Sequence, residues 1–96
     1  MYICFAEYRI KPECREAYLK AATMLMERAS DMRLYEGTDQ PHLFVEVWEA
    51  ATAEGAEAIK KERRDERSAW GELNAWIDGG QAKLHVWTFK AASLSS

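Results

Sequence analysis

The sequence predicts an α+β domain: one four-stranded antiparallel sheet with its helices on a single face. Three observations point there. Hydrophobic periodicity switches between two and about 3.6 residues in the order strand, helix, strand, strand, helix, strand. The stretch His42 to Ala50, HLFVEVWEA, places Leu43, Val45 and Val47 on one side and His42, Phe44, Glu46 and Trp48 on the other. Both sides of such a strand want cover, so it belongs in the interior of a sheet. The chain has 96 residues, room for one core and near the size at which self-association adds useful burial.

Tyr2 to Ile10 is the first strand, alternating Tyr2, Cys4, Ala6 and Tyr8 against Ile3, Phe5, Glu7 and Arg9. Lys11-Pro12-Glu13 then changes the period, because proline fits a first helical turn and Glu13 and Glu16 suit the positive end of a helix dipole. A helix is expected from about Pro12 to Ala29, with Cys14, Tyr18, Ala21, Ala22, Leu25 and Ala29 forming the core stripe. Ser30-Asp31 ends it. Met32 to Glu36 reads as a second strand, joined to the central one through the turn Gly37 to Pro41.

A second helix is expected to start at Thr52, a suitable N-cap, with Ala56 and Ile59 on its apolar side. The run Lys60 to Arg67, KKERRDER, reads as a solvated helical face with pairs such as Lys61 with Asp65, in preference to a phosphate site. Periodicity resumes through Ala69, Trp70, Leu73, Trp76 and Ile77, so two helical pieces are expected with a break at Asp65 to Ser68. Asp78-Gly79-Gly80 stops the second piece. Lys83 to Phe89 is the last strand, and AASLSS is a tail with little to hold it. The expected organisation is a single domain over residues 1–90 and a flexible tail over 91–96.

This order is the split β-α-β, or ferredoxin-like, arrangement. Turning the aliphatic or small side of each strand to the helices puts Tyr2, Cys4, Ala6, Tyr8, Met32, Leu34, Leu43, Val45, Val47, Leu84 and Val86 there. The other side then carries Ile3, Phe5, Glu7, Arg33, Tyr35, Phe44, Glu46, Trp48, His85, Trp87 and Phe89. An aromatic side chain covers roughly 150–250 Å², so this face exceeds the few hundred Å² that monomers expose in one patch. A second copy of the chain, meeting it about a two-fold axis, is the expected cover.

Composition narrows the partners. The chain is 48% hydrophobic and 30% charged with a net charge of −3, which disfavours nucleic acid. No apolar run reaches the ~20 residues of a membrane span and MYICFAEYRI lacks the marks of a signal peptide, so the expected compartment is the cytoplasm, without membrane association. Cys4 and Cys14 form no CxxC pair and read as free thiols.

With FVEVWEA leading into the second helix, and a Lys-Pro helix start after the first strand, the chain resembles the dimeric α+β barrel superfamily, which includes antibiotic-biosynthesis-type monooxygenases. The resemblance spans residues 2 to 90. It implies a homodimer and, for some members, cofactor-independent oxygenation of aromatic or quinol substrates. Haem-degrading members use a histidine on the second helix; residues 52–78 contain none, so that chemistry is not expected. With two histidines and no ligand spacing, no metal and no cofactor is expected either.

Two candidate sites follow. Inside the barrel, Glu7, Glu46 and His85, with Arg33, form an acid–base set, catalytic if the protein is an enzyme and otherwise a buried network that fixes strand register. Between helices and sheet, Tyr8, Tyr18, Trp70 and Trp76 are candidates to bind a small aromatic or apolar molecule, and Trp48 and Trp87 join them from the aromatic face. Aromatic residues at helical spacing are equally the ordinary content of a core. The two function classes left open are a monooxygenase-like enzyme and a noncatalytic ligand-binding or structural homodimer.

Overall fold

The structure is a computed structural model that describes residues 1–29 and 31–93. Strands β1 (Tyr2–Arg9), β2 (Met32–Glu36), β3 (Leu43–Ala50) and β4 (His85–Lys90) form one antiparallel sheet in the order β2-β3-β1-β4. Helices α1 (Arg15–Met26) and α2 (Ala53–Arg64) cover one face together with a 3-10 segment, Ala69–Trp76. This is the expected ferredoxin-like α+β arrangement. The expected first helix is split: Pro12–Cys14 forms a 3-10 turn, and α1 proper ends at Met26 rather than Ala29. Its stripe faces the core as read, with Tyr18 and Ala22 fully buried. Ser30 and residues 94–96 of the expected tail lie outside the described residues.

Local chemistry sets the other boundaries. The Thr52 hydroxyl accepts the Gly55 N–H at 3.0 Å, capping α2 as its position suggested. Asp65 ends α2 in extended backbone, and the Ser68 hydroxyl opens the 3-10 segment by accepting from Gly71 at 3.2 Å. Gly79 and Gly80 have φ of 90° and 73°, conformations that a Cβ disfavours, and they turn the chain towards β4. That strand starts two residues later than expected because Gly80–Lys83 closes a further 3-10 turn.

The register overturns one assignment. Residues paired across antiparallel strands share a face, and Cys4 pairs with Trp48, Ala6 with Glu46 and Tyr8 with Phe44. Phe44, Glu46 and Trp48 therefore face the helices, and Leu43, Val45 and Val47 lie on the open side, the reverse of the expected parity for β3. Volume explains it: Cys4 and Ala6 leave room above β1 that large side chains from β3 fill. Assigning the aliphatic side to the core fails here because Glu46 finds a buried partner.

The hairpin between β2 and β3 is tied by Glu36, which receives Arg15 at 2.5 and 3.2 Å and the His42 backbone N–H at 2.8 Å. His42 is held at φ 74° there, in the left-handed region that side chains other than glycine rarely adopt. The Arg15 hydrogen bonds, and then the His42 N–H, lower the Glu36 pKa. A lowered folded-state pKa means stabilisation that is present above the unfolded value and lost as pH falls through the folded one. Glu36→Gln is accordingly expected to flatten the loss of melting temperature below about pH 4.3, with little change near neutrality beyond a constant offset. An acid limb as steep as that of the parent would contradict this role.

Candidate functional site

Two groups of chemically active side chains emerge, one on each face of the sheet. On the helix side, the carboxylate of Glu46 is wholly buried and takes donors from three directions. Arg63 Nε approaches Oε1 and Oε2 at 2.9 and 3.0 Å, and Arg63 Nη2 reaches Oε2 at 2.9 Å. Trp48 Nε1 donates to Oε1 at 2.9 Å, and the Tyr8 hydroxyl donates to Oε2. Tyr8 in turn meets the Tyr18 hydroxyl at 2.6 Å. The Arg63 guanidinium lies 5.4 Å from the ring centre of Tyr8 and 5.7 Å from that of Trp70, near enough for cation–π attraction.

Electrostatics follow from that burial. Desolvation first, then the charge of Glu46, pushes the Tyr8 hydroxyl well above its ordinary pKa, and burial does the same for Tyr18. Burial alone would lower the Arg63 pKa, but the Glu46 carboxylate and its hydrogen bonds outweigh it, and the value rises. Burial, aided by Glu46, also pushes the Cys4 thiol up to about 11, which makes it a poor nucleophile. Both cysteines are free. The space beside this cluster, between Trp48, Ile59, Glu62, Arg63 and Trp70, is about 10 Å³, enough for one water and no more.

Arg63 is the residue that the sequence reading missed. KKERRDER looks like a solvated run, yet Arg63 is 1% exposed while its neighbours Glu62 and Arg64 face solvent. The helical spacing from Ala56 through Ile59 to position 63 was the available signal. Asp65 pairs not with Lys61 but with Arg67, at 3.4 Å. Asn74 also joins the cluster, its Oδ1 accepting from Arg63 Nη1 at 3.4 Å.

On the open face, Glu7 and His85 stand directly opposite each other in the β1–β4 register. With Arg9, Leu43, Asp78, Gly79 and Lys83 they line a cleft of about 380 Å³ at the end of the sheet, a volume in the range of small-molecule sites. The His85 ring stacks on Trp87 at 5.8 Å with 12° between planes, and Trp87 meets Phe5 at 5.9 Å. Of the expected catalytic set, then, Glu7 and His85 come together and Glu46 lies on the other face. Of the expected substrate-binding set, Tyr8, Tyr18, Trp48 and Trp70 gather around Glu46, with Trp48 and Trp70 edge to face at 4.9 Å. Trp76 packs at the core margin, and Trp87 belongs to the open face.

The backbone arrangement that carries both groups is shared with solved structures. An antibiotic biosynthesis monooxygenase superposes with a TM-score of 0.69 at 21% identity, over 97% of this chain and 100% of the other. The chain has the fold of the antibiotic biosynthesis monooxygenase-like proteins. A conserved protein of Methanosarcina mazei shares the fold, with a TM-score of 0.72 at 14% identity over 95% of this chain and 92% of that one. So does a NIPSNAP family protein of Agrobacterium tumefaciens, with a TM-score of 0.66 at 12% identity over 97% and 94%. No family model and no curated protein matches the sequence. Among the described residues, no helix is long and apolar enough to cross a membrane.

Proposed function

We propose that the protein works as a homodimeric α+β barrel, two open sheet faces apposed, and binds a small aromatic or otherwise apolar molecule in the manner of the cofactor-independent monooxygenases it resembles. One observation carries the dimer. Ile3, Phe5, Tyr35, Leu43, Val45, Val47, Trp87 and Phe89 share the uncovered face, with Tyr35 54%, Trp87 43% and Phe89 51% exposed in the single chain. With the β3 parity corrected, that face is more apolar than the sequence reading made it, which strengthens the case for a second copy as its cover. Two free thiols suit a reducing, cytoplasmic setting.

The cleft beside this face is the proposed binding site, with Glu7 and His85 as its acid–base pair. Glu46 is better suited to structure than to catalysis, because the donors around it already occupy both oxygens. That same closure supports the second reading, a noncatalytic homodimer whose buried polar cluster serves only stability. Native mass spectrometry of gently purified protein separates the two. The first reading predicts a dimer that carries, or takes up from a panel of small aromatics, one ligand per cleft, and Glu7→Gln and His85→Gln dimers that stay folded while turnover is lost. A dimer that binds nothing in the panel favours the second reading, and a monomer overturns both.

A further inference from the structure

We propose that the cluster around Glu46 is a one-electron redox site: Tyr8 is oxidised to a neutral phenoxyl radical, its proton moves to Glu46, and Trp48 passes the electron to an oxidant of the organic peroxyl-radical class. Tyr8, Tyr18, Trp48 and Trp70, side chains of the two types that give up a single electron most easily, meet in this cluster. Two of them share one carboxylate. The Tyr8 hydroxyl donates to Glu46 Oε2, and Trp48 Nε1 donates to Oε1 at 2.9 Å. A buried phenol gives up an electron easily only when its proton has a place to go at the same moment. Here the acceptor is already hydrogen-bonded to that proton, so the crowding of donors that closes Glu46 to a substrate is no obstacle to this transfer.

The directions of the hydrogen bonds assign the roles. Tyr8 has one hydroxyl proton and gives it to Glu46, so the Tyr18 hydroxyl is the donor in the 2.6 Å contact between the two tyrosines. Once the Tyr8 proton has crossed, the Tyr18 O–H still points at the phenoxyl oxygen and steadies it. Tyr8 and Tyr18 are 1% and 0% exposed, which shields the radical from coupling with another, whereas Trp48 is half-buried and reaches solvent. The step balances. The peroxyl radical takes one electron from Trp48 and a proton from solvent and becomes a hydroperoxide; Tyr8 replaces the electron on Trp48; the Tyr8 proton stays on Glu46 Oε2. Arg63 then faces a neutral acid in place of its carboxylate partner, which drives the proton back to Tyr8 when an enediol reductant of the ascorbate class returns an electron.

Pulse radiolysis with azidyl radicals, which take an electron from indoles ahead of phenols at neutral pH, tests this on the whole chain. The chain has four tyrosines, Tyr2, Tyr8, Tyr18 and Tyr35, so Tyr2→Phe combined with Tyr35→Phe leaves the cluster as the only source of phenoxyl. In that double variant the indolyl absorption is expected to decay into phenoxyl absorption at a rate independent of protein concentration and slower in deuterium oxide. Adding Tyr8→Phe should abolish the phenoxyl, and adding Trp48→Phe instead should abolish its concentration-independent formation, with circular dichroism unchanged in both. Absence of phenoxyl in the double variant, or a phenoxyl that survives Tyr8→Phe, overturns Tyr8 as the redox site. An equal rate in light and heavy water overturns Glu46 as the proton acceptor, and concentration-independent formation that survives Trp48→Phe overturns the relay. The double variant alters no member of the cluster, so its result decides the matter even where Tyr8→Phe fails to fold.

Discussion

Arg63→Met is expected to lower the unfolding free energy by about 3–5 kcal/mol, the cost of leaving a buried carboxylate without its partner. Glu46 would keep the hydrogen bonds from Tyr8 and Trp48 but lose the three contacts from the guanidinium. Arg63→Lys should fall between, because an ammonium restores the charge without the planar fork that grips both oxygens. The pair is a unit, so its members should not act additively. Glu46→Leu combined with Arg63→Met is expected to cost clearly less than the two single changes together, since an apolar pair leaves no orphaned charge. Urea denaturation followed by tryptophan fluorescence reads all four variants, with Trp48 and Trp70 reporting from inside the cluster. A loss below about 1 kcal/mol for Arg63→Met would be the value of a surface pair and would contradict a closed buried network.

The extent to which the sequence disclosed this arrangement varied with the kind of interaction that decides it. Element order, the Thr52 cap and the glycine turn at 79–80 are local, and local rules found them. The parity of β3 is decided by what lies above the sheet. A carboxylate between Phe44 and Trp48 looks as though it should face away from the helices, and only a guanidinium from a distant helix, embedded in a run of charges, reverses that preference. A pairing between positions 46 and 63 leaves no trace in a period of two or of 3.6. The site divided for the same reason. Glu7 and His85 were placed by strand alternation and do stand together, whereas Glu46 follows β3 to the other face. Alternation makes Lys83 the first residue of a strand; the 3-10 turn after Gly79 brings it to the cleft instead.

Phe5→Glu is expected to break the proposed dimer. Phe5 lies between Val47 and Trp87 on the open face and touches Trp87 and Phe89, so a carboxylate there meets no cation in register on either neighbouring strand. Two-fold symmetry would bury it twice. A penalty of about 3 kcal/mol or more weakens self-association by at least about a hundredfold. Met24→Glu, at an exposed position of α1, is the matched control and should leave assembly untouched. The cluster around Glu46, on the opposite face, should keep each Phe5→Glu chain folded, so its far-ultraviolet circular dichroism should match that of the parent.

Sedimentation equilibrium of the unmodified protein and of Phe5→Glu at micromolar concentration tests the division of labour between the two faces most directly. The expected result is twice the 11.0 kDa chain mass for the parent and for Met24→Glu, and the single-chain mass for Phe5→Glu. A parent that sediments as a single chain, or a Phe5→Glu variant that stays paired, would contradict the assignment of the open face to assembly.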